Sequence, residues 1–75
     1  MLINNSGDLG NIIKETRKKQ GLTQTTLAAT SGVGIRFIID LEKGKATAAL
    51  GKVIHVMKML GIDIDLKVPE VKSHD

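Results

Sequence analysis

Apolar residues recur along this chain with a period near 3.6 in four stretches and a period of 2 in a fifth. Leu9, Ile12 and Ile13 share one helical face and lead into Arg17, Lys18 and Lys19, cations suited to a last helical turn before Gly21. Ser6 or Asp8 can cap this first helix. Thr23 is a good N-cap for a second helix over 24–30, with Leu27 and Ala28 turned inward and Gly32 as its stop. A third helix, from 35 to about 43, carries Ile38 and Leu41 on one face and ends at Gly44. The fourth is the strongest signal: Leu50, Val53, Ile54, Met57 and Leu60 follow an i, i+3, i+4, i+7, i+10 pattern, with Thr47 as the cap and Gly61 past the end.

After Gly61 the period shortens. Ile62, Ile64, Leu66 and Val68 alternate with Asp63, Asp65 and Lys67 until Pro69, which predicts one β-strand over 62–68. A lone strand leaves its backbone groups and apolar face unpartnered, so it needs a mate. Residues 1–4 are the other candidate in the chain, but the same strand from a second copy is the more economical partner. The predicted organisation is a helical body over 1–61, a dimerisation strand over 62–68 and a tail over 69–75.

Composition narrows the function. The chain has 75 residues, 11 basic and 8 acidic, for a net charge of +3. Nine basic and four acidic side chains lie in residues 1–60, giving +5, against two and four in residues 61–75, giving −2. A basic body suits a polyanion. With no cysteine there is neither a disulfide framework nor a thiolate metal site, and one small domain must fold by packing alone or with a partner subunit. Phe37 is the only aromatic residue, which excludes base stacking as a binding mode. No apolar run approaches the roughly 20 residues of a membrane span, and residues 1–3 are too short for a signal peptide, so a cytoplasmic protein is expected. His55 and His74 are isolated, and no nucleophile–base pairing is visible; neither a metal, a cofactor nor an enzyme is expected.

Two short helices around a tight glycine turn have helix-turn-helix spacing: Ala28 is small where the helices cross, and Val33, Ile38 and Leu41 pin the third helix to the core. The stretch Gly21-Leu22-Thr23-Gln24, then Leu27-Ala28, Gly32-Val33 and Leu41-Glu42-Lys43-Gly44-Lys45, resembles the lambda-repressor-like helix-turn-helix domains of the Cro and XRE type over residues 8 to about 68. Gly32-Val33-Gly34-Ile35-Arg36-Phe37-Ile38, Asp40-Leu41-Glu42, Lys52-Val53 and Leu60-Gly61 are similar to HipB-type antitoxin repressors, the partners of HipA-like Ser/Thr kinases. The resemblance implies an all-α, compact domain of four to five helices, whose C-terminal strand pairs across a dimer.

If Ile38 and Leu41 point inward, then Ile35, Arg36, Ile39 and Asp40 lie on the opposite face of the third helix, available to a major groove. The family places base contacts at the same positions. Arg36 can read guanine through its fork, and Asp40 can accept from cytosine or hold Arg36 in place. Ile35 and Ile39 are limited to apolar contacts, with a thymine methyl, with another protein surface or sideways with Phe37. Backbone N–H groups near Gln24, together with Lys43 and Lys45, are suited to phosphate. Thr23 and Gly34, which open the second and third helices, belong to the same DNA interface. The resemblance further implies that Gln24 bridges phosphate and base edge, and that Arg17 and Glu42 form a structural ion pair. Lys18 and Lys19 read as a solvated helix end.

The expected function is a homodimeric repressor of a palindromic operator that also acts as antitoxin of a HipA-like kinase and autoregulates its operon. Two alternatives stand beside it: a stand-alone phage-type or metabolic repressor, and a protein-interaction module that has lost operator binding.

Overall fold

The computed structural model describes residues 2–70 and contains four helices: α1 (Ser6–Lys19), α2 (Gln24–Ser31), α3 (Ile35–Glu42) and α4 (Leu50–Met59). Helix α3 packs against α1 and α2, and α4 closes the core against α2. The interior is aliphatic: Ile13, Leu27, Ile38 and Val56 are fully buried, with Leu41, Val53, Met57 and Leu60 around them. Among the described residues, no helix is long and apolar enough to cross a membrane.

The helix ends depart from the expected caps in two places. Asn5, and neither Ser6 nor Asp8, caps α1: its side chain accepts from the Asp8 N–H at 2.8 Å, while the Asp8 carboxylate accepts from the Asn4 N–H at 3.0 Å. Ser6 serves a distant segment instead, donating its hydroxyl to the Gly44 carbonyl at 2.7 Å. Helix α4 begins at Leu50 after Ala49, without a side-chain cap, because a turn closed from the Ala48 N–H to the Lys45 carbonyl occupies the residues around Thr47. The buried stripe of α4 is correspondingly Val53, Val56 and Met57, continued by its C-cap Leu60, and Leu50, expected inside, is 69% exposed.

No strand forms among the described residues. The Ile62 N–H closes the end of α4 on the Met57 carbonyl at 2.9 Å, and the chain then runs extended with Ile64, Leu66 and Val68 exposed. The alternation is there, but a ladder needs a second strand, and Leu2 and Ile3 lie exposed at the other end of the chain. Met1, the greater part of the expected tail and His74 lie outside the described residues.

Gly10 is buried where α1 crosses the C-terminal end of α3. A Cβ there would collide with the Leu41 carbonyl oxygen and lie 2.9 Å from that of Glu42. Only hydrogen fits, and the close crossing sets how near the two helices approach.

Candidate nucleic-acid interface

The α2–α3 corner is built by local chemistry. The Thr23 side chain accepts from the Thr26 N–H at 3.0 Å, fixing the start of α2. At its other end Gly32 adopts φ +69, so that its own N–H reaches the Ala29 carbonyl at 3.2 Å and the Val33 N–H reaches that of Ala28 at 3.0 Å. These two bonds form a Schellman turn, which needs a left-handed residue and finds it in glycine. Gly34 then opens α3 in extended conformation, without a side-chain cap.

Helix α3 is divided as its pattern requires. Ile38 and Leu41 are buried, Ile35 and Arg36 stand exposed, and Ile39 and Asp40 lie half-buried on the flanks. Asp40 faces two cations: Arg36 Nε at 3.3 Å, one turn away on the same helix, and Lys45 Nζ at 3.7 Å. Exposed pairs of this kind contribute at most about 1 kcal/mol. Their effect here is orientation, since the half-buried carboxylate draws both cations to its own side of α3.

Lys43 ends α3 as an exposed C-cap, and Lys45 follows Gly44. Lys52, in the first turn of α4, places its ammonium 5.8 Å from the centre of the Phe37 ring, a cation–π approach. Arg36, Phe37, Asp40, Lys45 and Lys52 thus line one shallow hollow beside the exposed face of α3. Lys52 enters the sequence reading only through the resemblance at Lys52-Val53, with no role at the interface attached to it. Its place depends on where α4 starts, and the cap expected at Thr47 misplaces that start.

Beneath this surface lies a buried polar centre. Arg17, in the last turn of α1, donates from Nε to Glu42 Oε2 at 2.6 Å and from Nη2 to Oε1 at 3.0 Å, a two-bond fork. Its Nη1 donates to the Leu22 carbonyl at 2.8 Å and so ties the α1–α2 loop to the same group. The hydrogen bond with Glu42 raises the Arg17 pKa above its ordinary value, against the opposing effect of burial. Gln24 joins the centre from the head of α2, its Nε2 donating to Glu42 Oε1 at 3.1 Å. Sequence reasoning places Gln24 in the interface and Glu42 in the scaffold; it misses that they touch. Lys18 and Lys19 are exposed and make no ion pair among the described residues.

The expected dimerisation residues stand apart from this site, Ile62 half-buried against the core and Ile64, Leu66 and Val68 in solvent. His55 is exposed on α4, and no group of side chains able to hold a metal exists among the described residues.

Comparison with known proteins places these features among relatives. A family model described as helix-turn-helix matches residues 13–67. An uncharacterized HTH-type transcriptional regulator, y4mF of Sinorhizobium fredii (strain NBRC 101917 / NGR234), is 48% identical over 67 residues, covering 89% of this chain and 88% of the relative. Two solved structures share the fold with a TM-score of 0.83 at 23% identity: HipB in a HipA-HipB-O2-O3 complex and HipB in a complex with an O4 20mer. Each alignment covers 93% of this chain and 99% of the matched one.

Proposed function

We propose that this chain, which belongs to the helix-turn-helix family of transcriptional regulators, is a repressor that binds a palindromic operator as a homodimer in the cytoplasm. As a member of that family it is a DNA-binding regulator and not an enzyme. In this reading α3 enters the major groove with Ile35, Arg36, Ile39 and Asp40, while Thr23, Gln24 and Gly34 meet its edge and Lys43 and Lys45 meet phosphate. The observation that carries the proposal is the split of α3: Ile38 and Leu41 are locked in the core, and the exposed Arg36 is oriented by Asp40 beside Lys45.

The test is fluorescence anisotropy of the chain with its own promoter fragment at several salt concentrations. Binding should weaken with salt at a log–log slope of about −0.9 per phosphate neutralised. An affinity indifferent to salt refutes the DNA reading. Gln24→Ala should cost roughly 1–3 kcal/mol of operator binding, more than Lys18→Ala; equal losses would remove Gln24 from the interface.

Residues 1–61 then form the DNA-binding body, 62–68 pair across the dimer and 69–75 are a tail. Exposed Ile64, Leu66 and Val68 on an extended segment support this division. Two copies joined there would present both α3 helices to one side of the duplex, at half-sites roughly 10 bp or a multiple apart. Leu66→Asp should yield a monomer in sedimentation equilibrium and lower operator affinity together; a variant that remains dimeric excludes this strand.

The likeness in fold to HipB, solved together with HipA, supports a second role for this protein as antitoxin of a HipA-like Ser/Thr kinase, with the protein itself autoregulating its operon. Co-expression with a kinase-like neighbouring gene should give a complex that survives sizing. If the kinase elutes alone, the protein acts as a stand-alone repressor.

A further inference from the structure

We infer that Glu42, a residue without access to any ligand, determines which base Gln24 reads; the inference rests on the operator-binding function proposed above. The Glu42 side chain is 3% exposed. Its Oε2 accepts from Arg17 Nε, and its Oε1 accepts from Arg17 Nη2 and from Gln24 Nε2 at 3.1 Å. A carboxylate ion can only accept hydrogen bonds, so the Gln24 group that faces it must be the amide nitrogen. The carbonyl Oε1 of Gln24 and its second N–H are then left for a partner at the head of α2.

That pair, one acceptor beside one donor, complements the major-groove edge of adenine, which offers the N6 amino group and the N7 acceptor. It does not complement guanine, whose O6 and N7 both accept. Glu42 is therefore a positioning residue: it holds the Gln24 amide in the adenine-reading sense without touching DNA.

Glu42→Gln reverses the arrangement. The shortest bond of the fork, from Arg17 Nε at 2.6 Å, keeps the oxygen of the new amide, so the nitrogen takes the Oε1 position, where Arg17 Nη2 gives up its bond and Gln24 faces a donor. Gln24 must answer with its carbonyl, leaving both of its N–H groups for the DNA.

The experiment measures operator affinity for wild type, E42Q, Q24A and the double variant, at a temperature where circular dichroism finds all four folded. Promoter fragments carrying single adenine-to-guanine changes through the half-site are measured alongside. E42Q should bind the natural site on the order of tenfold more weakly and regain affinity on one guanine-substituted fragment. In the Q24A background, the same change should alter affinity by less than twofold. Equal losses in both backgrounds, or an unaltered base preference in E42Q, overturn the inference.

Should E42Q fail to fold, the wild type still decides. Nuclear Overhauser contacts between the Gln24 side-chain amide protons and the Glu42 side chain are expected in the free and DNA-bound protein, and their absence in either state overturns it. A wild-type chain that binds no promoter DNA brings down the operator reading and this inference together. Wild-type binding with an unchanged E42Q preference brings down only the second.

Discussion

Glu42→Lys should leave the domain largely unfolded at temperatures where the wild type is native. The carboxylate lies between two Arg17 nitrogens and the Gln24 amide, and the charged partners are 9% and 3% exposed at their side chains. Replacing it by lysine strands the Arg17 guanidinium beside a second cation, with water largely excluded. Removing one member of a buried pair costs about 3–5 kcal/mol, a large share of the roughly 5–15 kcal/mol that holds a small domain together. Since each kcal/mol moves the melting point of a domain this size by about 4–8 °C, a thermal melt followed by far-ultraviolet circular dichroism should shift down by well over 10 °C. A midpoint unchanged from wild type would show that the pair contributes no stability. Because the hydrogen bond with Glu42 raises the pKa of Arg17, the arginine side of this contribution is fully present below the ordinary arginine value and is lost only as pH rises through the raised one.

Gly10→Ala is the second change of large effect, and its sign is opposite to what helix propensity alone would give. Alanine in a helix interior is favoured over glycine by about 1 kcal/mol. At Gly10, however, the added methyl meets two backbone carbonyl oxygens, those of Leu41 and Glu42. Neither is the yielding end of a flexible side chain: Leu41 is anchored in the core and Glu42 is held by Arg17. Overpacking of this kind typically costs about 1–3 kcal/mol, and the separation of α1 from α3 must grow to relieve it. A control lies in the same molecule. Gly51, in the first turn of α4, has open space around its missing Cβ, so Gly51→Ala should stabilise by roughly 0.4–1 kcal/mol. Chemical denaturation of the two variants should displace the midpoint in opposite directions; a stabilised Gly10→Ala would mean that the crossing is looser than the geometry requires.

These two glycines also mark where sequence reading ends. Periodicity and glycine punctuation are local, and they locate all four helices, the turn at Gly32 and the inward face of α3, because each depends on residues near one another in the chain. Contacts between distant segments leave no such trace. Nothing around Gly10 announces that its partner atoms belong to residues 41 and 42, and Ser6 looks like a helix cap because its bond to Gly44, 38 positions away, is invisible locally. Thr47 and Leu50 mislead for a related reason. A residue suited to capping lies in the turn before α4, and an apolar residue in phase with the core stripe falls where no neighbouring helix reaches it. The site divides in the same way. Arg36 and Asp40 are legible as a one-turn pair, whereas the contact of Gln24 with Glu42 and the approach of Lys52 to Phe37 require α2, α3 and α4 to be assembled first.

Clamping the Gly44 carbonyl to the Ser6 hydroxyl removes disorder from the lysine-bearing segment before any ligand arrives. Fixing the backbone of a free residue costs roughly 1–2 kcal/mol in conformational entropy, and a segment that orders only on contact surrenders that amount from its affinity. Between Lys43 and Lys45 the ordering belongs to the folding of the domain itself, supported further by the Lys45 N–H on the Asp40 carbonyl at 3.0 Å. In the proposed operator complex, association through this segment would therefore be a rigid docking, adding nothing to the heat-capacity change that accompanies coupled folding.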